Sequence, residues 1–262
     1  MKKVALVTGG TSGIGLATAN ALNKSGATVY VLSRRPAEIP GLHHIVADVS
    51  DEVQVRAAVE AVFEKEGRLD ILINNASYGI SGAVEFTETA DAKRLFEVNL
   101  FGVTCACKAA IPLMRAQGGG RIVNISSVAA AAPIPFQTWY SVTKAAVSAY
   151  TLALFNEVKQ MGVTVCAIMP GDTRTNFVRE KIPEANGAYG DRIERSVAKM
   201  EKDEKNGMDP DFAGRFVAKI ALKKRVKSLY AVGFLYKFLV LLTRILPNRL
   251  VGYLLGILYS GE

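Results

Sequence analysis

Six short apolar runs, at residues 4–7, 28–32, 44–47, 69–73, 120–125 and 163–169, end on polar or glycine-bearing clusters and are largely separated by stretches of helical periodicity. This alternation constrains the fold more than any other feature of the chain. Parallel strands need long crossovers, and helices supply them, so the pattern predicts one doubly wound parallel sheet with helices on both faces. A length of 262 residues, half of them apolar, suffices for one such core. No internal repeat of about 20 to 50 residues competes with this reading.

The first run leads into Thr8-Gly9-Gly10-Thr11-Ser12-Gly13-Ile14-Gly15 and then into an expected helix at 16–22. Strand, glycine turn and helix in that order form half of a dinucleotide-binding unit. The glycines let the backbone approach a pyrophosphate, and the helix N-terminus favours its charge. The expected architecture is therefore α/β and Rossmann-type. The second run ends at Ser33-Arg34-Arg35, where a carboxylate for the ribose 2′-OH of NAD would stand. Two guanidiniums beside a serine suit a 2′-phosphate instead, which favours NADP, with NAD as the alternative.

Asp48 follows the third run and is read either as a partner of the adenine amino group or as the cap of the helix running to Glu66, a role equally open to Ser50. The fourth run delivers Asn74-Asn75-Ala76 to the carboxyl edge of the sheet, and the fifth delivers Ser126-Ser127. Asn99 falls inside a helical pattern at 91–114, where asparagine is tolerated if it holds a water or a kink. The sixth run ends in Pro170-Gly171-Asp172-Thr173-Arg174-Thr175.

Tyr140 and Lys144 open an alanine-rich helix and stand one turn apart on one face. A phenol that ordinarily titrates near 10 exchanges protons poorly at neutral pH, and a neighbouring ammonium is expected to lower it. The pair reads as a catalytic acid with its electrostatic partner.

Three cysteines without CxxC spacing argue against a disulfide framework and for a reducing, cytoplasmic compartment. Only two histidines are present, His43 and His44, adjacent on an expected strand, and no metal site is expected. The opening apolar stretch stops at Thr8, too short for a signal peptide. The net charge of +8 gathers between Arg192 and Arg249, with 14 lysines and arginines against 6 acids. Those bases alternate with acids and apolar residues, which argues against nucleic-acid binding.

Taken in order, TGGTSGIG at 8–15, DVS at 48–50, NNA at 74–76, Asn99, ISS at 125–127, YSVTK at 140–144 and PGDTRT at 170–175 resemble the short-chain dehydrogenase/reductase family over residues 1–231. The resemblance implies a catalytic tetrad of Asn99, Ser127, Tyr140 and Lys144. Ser127 rather than Ser126 is taken because it stands 13 residues before Tyr140. It also implies cofactor contacts from Gly9, Thr11, Ser12, Gly13, Ile14, Gly15, Ser33, Arg34, Arg35, Asp48, Val49, Asn75 and Ala76. Tyr140, Lys144, Pro170, Gly171, Thr173 and Thr175 complete that set, with Lys144 at the nicotinamide ribose and Thr175 near the carboxamide. Two departures stand out: Ser77 replaces the glycine of NNAG, and Asp172 is polar where many relatives are apolar.

The implied activity is an NADP-dependent oxidoreductase that interconverts hydroxyl and carbonyl groups by hydride transfer, with the tyrosine as acid and base. Residues 176–207 read as a mobile segment over the substrate. Residues 232–262 read as a second unit, an apolar and basic amphipathic C-terminal extension. In it Lys237 and Arg244 share a face, while Phe234, Phe238, Leu241, Leu242 and Ile245 form an apolar surface. The extension suits either peripheral membrane contact or packing on the domain or a partner subunit. With the apolar approach around Ala129, Ile134 and Phe136 it favours an apolar substrate of steroid, retinoid or acyl type. Family resemblance further implies a homo-oligomer. Competing readings are a non-catalytic nucleotide sensor or scaffold, a reductase of small polar carbonyls, and a sugar-nucleotide epimerase, which ordinarily needs a larger C-terminal domain.

Overall fold

The computed structural model describes residues 2–260, so the ends of the two expected units, residue 1 and residues 261–262, lie outside the described part. In chain order the elements begin with β1 (Val4–Thr8), α1 (Gly13–Lys24), β2 (Thr28–Ser33), β3 (His43–Val46), α2 (Glu52–Glu66) and β4 (Ile71–Asn74). There follow β5 (Gly79–Ser81), α3 (Thr89–Phe96), a π-helical segment (Glu97–Phe101), α4 (Gly102–Ala116), β6 (Gly120–Ile125) and α5 (Thr138–Val158). The chain closes with β7 (Val163–Met169), β8 (Arg179–Lys181), α6 (Arg192–Lys205), α7 (Pro210–Leu222), β9 (Leu229–Ala231), α8 (Phe234–Ile245) and α9 (Asn248–Ser260).

The main sheet is seven-stranded in the order β3-β2-β1-β4-β6-β7-β9, and every pairing in it is parallel. Strand alternation sorts its side chains onto two faces. Val4 and Leu6 of β1 pack with Val55 and Val59 of α2, Val103 and Ala106 of α4, and Val147 of α5. Ala5 and Val7 pack on the other side, with Ala19 and Leu22 of α1 and Val217 and Ala218 of α7. A sheet buried on both faces explains why the runs read as almost continuously apolar.

The strand order reverses between β1 and β4, and the crevice outside their carboxyl ends is where this architecture binds ligands. The helical stretch Thr89–Ala116 is long and apolar enough to cross a membrane, yet Val103, Ala106, Cys107, Ala110 and Met114 on it are buried in the core.

Four expectations need correction. The sheet has a seventh strand, β9, too short at three residues to register as an apolar run. Residues 176–207, expected as a mobile segment, carry regular structure: β8 pairs with β5 in a small second sheet, and α6 follows. Helix α6 hides in the sequence because its buried face is narrow, Ile193, Val197 and Met200 amid charged residues. Neither Asp48 nor Ser50 caps α2; Asp51 does, accepting from the N–H groups of Val53 and Gln54 at 2.9 and 3.1 Å. The Asp48 carboxylate instead accepts from the Ser50 N–H and hydroxyl. The fourth is the titration of Tyr140, which burial raises rather than lowers.

Candidate active site

One cavity of about 870 Å³ runs along the carboxyl edge of the sheet. At one end lie Gly9, Thr11, Ser12, Gly13 and Ile14 of the glycine turn, Ser33, Arg34 and Arg35 after β2, and Asp48 and Val49 after β3. Asn75, Ala76 and Ser77 after β4, Ser127 after β6, Tyr140 and Lys144 of α5, and Pro170, Gly171, Thr173 and Thr175 after β7 line its middle. Of the residues implicated by sequence, Gly15 and Asn99 stand behind this lining and act on it from within.

A Cβ on Gly15 would sit 2.2 Å from the Gly9 carbonyl oxygen and 2.4 Å from Asn75 Nδ2, so no other residue fits beneath the turn. Asn75 ties the turn to β4. Its Nδ2 donates to the carbonyls of Thr8 and Gly9, both at 3.1 Å, and the Thr8 hydroxyl accepts from the backbone N–H groups of Asn75 and Ala76. The methyl of Thr175 lies against Gly13, so the loop after β7 closes onto the helix start. A backbone cradle at a helix N-terminus, at the reversal of strand order, fits the pyrophosphate of a dinucleotide. The substitution at Ser77 costs nothing in backbone conformation, since among the described non-glycine residues only Phe136 has a positive φ.

Ser33 and the arginines stand at the far end of the cradle. The Ser33 hydroxyl donates to the Arg35 carbonyl at 2.9 Å and meets His44 Nε2 at 2.8 Å. Arg34 and Arg35 are exposed and, among the described residues, no carboxylate forms an ion pair with either, which leaves both guanidiniums for an anion.

Asn99 is fully buried, and the helix around it widens to π geometry. Its Oδ1 accepts from the Tyr78 N–H at 3.1 Å, while Nδ2 donates to the Tyr78 carbonyl at 2.9 Å and to Thr143 Oγ1 at 3.1 Å. Of the two expectations, a held water or a kink, the backbone distortion is a π-bulge, and Asn99 clamps the strand-side loop to the helix that carries the tyrosine. The two serines separate by direction: Ser126 Oγ donates to the Lys144 carbonyl at 2.8 Å and meets Ser148, whereas the Ser127 hydroxyl accepts from the Ala129 N–H at 3.1 Å and acts on Tyr140 closely enough to oppose the rise in its titration.

Lys144 is almost wholly buried, its Nζ 3.0 Å from the carbonyl of Ile125 and 5.6 Å from the centroid of the Tyr140 ring. Burial alone pushes its amine down to about 7. Tyr140 does not titrate low, as sequence suggested; burial pushes it up to about 12, with the Ser127 hydrogen bond opposing. Two groups sharing a low-dielectric cleft both lose ionisation, and here desolvation outweighs their mutual attraction.

Sequence reasoning missed the other end of the cavity. Phe177 meets Tyr140 edge-on at 5.5 Å between ring centroids, and Arg179 lies over Phe177 while ion-pairing with Glu204. Arg94 pairs with Glu180 at 2.9 Å. Beyond this polar rim the cavity opens between α8 and α9, lined by Leu239, Leu242, Leu246, Val251, Leu254 and Leu258. The spacing of Leu239, Leu242 and Leu246 on one helical stripe was legible in the sequence. The charged rim was not, since its members come from α3, β8 and α6.

A family model described as short chain dehydrogenase matches residues 3–186. The chain is 38% identical over 264 residues to a 3-ketodihydrosphingosine reductase of Bacteroides thetaiotaomicron, covering 98% of each chain. Among solved structures it superposes on a short-chain dehydrogenase from Streptomyces avermitilis with a TM-score of 0.82 at 28% identity, covering 98% of this chain and 95% of that one. It also superposes on a 3-ketoacyl-(acyl-carrier-protein) reductase from Brucella melitensis complexed with NADH, with a TM-score of 0.73 at 28% identity, covering 87% of this chain and 95% of that one.

Proposed function

The chain belongs to the short-chain dehydrogenase/reductase family and is an NAD(P)-dependent oxidoreductase, and from that premise we propose that it uses NADPH to reduce the ketone of a long-chain lipid. The observation that carries this reading is the continuity of the cavity from the Tyr140 hydroxyl into the leucine-lined space between α8 and α9. The similarity to a 3-ketodihydrosphingosine reductase supports an acyl-type ketone with a polar head at the charged rim.

Tyr140 is the proton donor to the ketone oxygen, and with its titration near 12 it holds that proton across the neutral range. The Ser127 hydroxyl stabilises the same oxygen as charge grows on it, a contribution of about 3 kcal/mol in comparable sites. Lys144, held by Ile125, orients the tyrosine side of the cleft, and Asn99 keeps α5 in place through Thr143. A dinucleotide held by its pyrophosphate in the cradle of Gly9, Gly13 and Gly15 would supply the hydride from its nicotinamide. Arg34 and Arg35 with Ser33 hold the 2′-phosphate, Asp48 and Val49 border the adenine, and Asn75, Ala76, Pro170, Gly171, Thr173 and Thr175 hold the remainder.

Residues 232–262 act as a lipid-facing extension of the catalytic unit at 1–231, and the enzyme works in the cytoplasm at a membrane surface. Phe101 of the π segment and Val142 and Leu152 of α5 are exposed and supply an apolar face for homo-oligomer formation.

The test is turnover of NADPH and NADH in parallel against long-chain 3-ketones, steroid and retinoid carbonyls and small polar carbonyls. Preferential NADPH oxidation with the long-chain ketones is expected. Turnover confined to small polar carbonyls would overturn the lipid reading, and cofactor binding without turnover would overturn the enzymatic one.

A further inference from the structure

Asp172 is a polar residue on the loop after β7 that neither the cradle nor the tyrosine requires. Among the described residues its side chain and its backbone N–H share one hydrogen-bond partner. Its backbone N–H donates to the Tyr236 hydroxyl at 3.0 Å, and that hydroxyl donates back to the Asp172 carboxylate at 2.9 Å. Tyr236 belongs to α8, 64 residues further along the chain. Its ring packs against Gly171, where a Cβ would stand 2.1 Å from two of the ring carbons, so only glycine fits at the preceding position. Reciprocal hydrogen bonding and close ring packing are two independent marks of one docking point.

The tail needs such a point. On α8 only Val240 is buried, and on α9 only Ser260, while Phe234, Leu235, Phe238, Leu241, Ile245, Tyr253 and Ile257 are exposed. Helices that bury so little apolar surface gain little from packing, so a few polar contacts decide where they rest. The loop, by contrast, is fixed from its other side. The Met208 N–H donates to the Asp172 carbonyl at 2.9 Å, the Arg174 N–H donates to the Met208 carbonyl at 3.0 Å, and Thr175 rests on Gly13. A second anchor holds α9 to α6, where the Tyr259 hydroxyl donates to Asp203 at 3.4 Å beneath Lys199.

We propose that Tyr236 and Asp172 are a positioning pair that seats α8 as a wall of the alkyl channel on the loop bordering the cofactor cleft, and so set selectivity for long-chain substrates. This rests on the long-chain ketone reading above. Leu239, Leu242 and Leu246 face the channel from the helix that the pair holds, so losing the pair loosens the wall that an alkyl chain touches and a short ketone does not.

Tyr236→Phe in the full-length enzyme removes the hydroxyl and keeps the ring on Gly171. The ratio of kcat/KM for a long-chain 3-ketone to that for a short-chain 3-ketone is expected to fall about tenfold, through KM rather than kcat. Asp172→Leu is expected to act alike, and Asp172→Asn, which keeps an acceptor for the hydroxyl, to recover most of the ratio. In the cofactor-free protein, hydrogen exchange across residues 234–246 is expected to quicken in Tyr236→Phe. Equal losses on both ketones, or exchange unchanged across α8, would overturn the positioning role. A wild-type enzyme indifferent to chain length would overturn the substrate reading, and with it the selectivity, while faster exchange in Tyr236→Phe would still support the docking of α8 through the pair.

Discussion

Lys144 reaches within 5.6 Å of the Tyr140 ring centroid, yet its hydrogen bond goes to the carbonyl of Ile125 at 3.0 Å and not to the tyrosine. The amine is held in place before any ligand arrives, and burial has already pushed it from near 10.5 to about 7.

That displacement makes Lys144 a cost to the cofactor-free fold. Between about pH 7 and 10.5 the unfolded chain binds the extra proton, so stability rises with pH across that window and is lowest below it. Lys144→Met removes the buried amine and is expected to abolish turnover while raising the melting temperature. At about pH 6 a net gain of about 2 kcal/mol, after loss of the bond to Ile125, corresponds to roughly 4–8 °C. The gap should close as pH approaches about 10. Thermal denaturation of the two proteins at both pH values decides it, and a less stable variant at low pH would refute the burial argument.

Tyr140→Phe deletes only a hydroxyl at the end of a ring packed edge-on against Phe177. Loss of a positioned acid should lower kcat by about 10³-fold with little change in cofactor affinity. Single-turnover kinetics alongside a fluorescence titration with NADPH separates the two effects. Normal turnover in this variant would remove the tyrosine from the chemistry.

Asn99→Ala leaves the backbone N–H and carbonyl of Tyr78 and the hydroxyl of Thr143 without their partner in a dry interior. Unsatisfied buried groups cost about 1–3 kcal/mol each, so a loss of roughly 3 kcal/mol in chemical denaturation is expected. A π-bulge that persisted without the asparagine would show a loss below about 1 kcal/mol.

Legibility in the sequence followed range. Whatever depends on a run of neighbours could be read: the glycine turn, six of the strands, and the helix face shared by Tyr140 and Lys144. Whatever depends on residues meeting across the fold could not. The Arg179–Glu204 and Arg94–Glu180 pairs join segments far apart in the chain, and the upward shift of Tyr140 comes from burial rather than from its neighbour four residues on. Asp172 looked anomalous in its motif and became intelligible only with Tyr236 beside it. Helix α6 was hidden by charge because only one narrow stripe of it, Ile193, Val197 and Met200, turns inward.

Arg34 and Arg35 should decide between the two nicotinamide cofactors. Replacing both with alanine is expected to raise the NADPH dissociation constant by at least about tenfold, as charge-assisted hydrogen bonds to a phosphate are lost. NADH affinity should change by less than about twofold, and the NADPH affinity of the native protein should fall with added salt. Isothermal titration with both cofactors at two ionic strengths measures all of this, and equal weakening of both would place the arginines outside the 2′-phosphate site.

The exposed face of the tail makes the last prediction. Phe234, Phe238, Leu241 and Ile245 form one stripe along α8, Leu250, Tyr253, Leu254 and Ile257 another along α9, and all are at least two-fifths exposed. Lys237, Arg244 and Arg249 stand among them, and Lys223, Lys224, Arg225 and Lys227 precede β9. An apolar ridge bordered by bases is complementary to an anionic bilayer, in which each large side chain that inserts contributes about 1.5–3 kcal/mol and each nearby base about 1 kcal/mol. Co-sedimentation with vesicles containing phosphatidylserine is therefore expected for the native protein, weakening with salt. It should fall at least about tenfold in a Phe234→Ser, Phe238→Ser, Ile245→Ser variant, which leaves Tyr236 on its partner. If the native protein ignores vesicles and the triple variant instead shifts to a smaller species in sedimentation velocity, the stripe is a contact between subunits. The channel between α8 and α9 would then open towards a neighbouring copy rather than towards lipid.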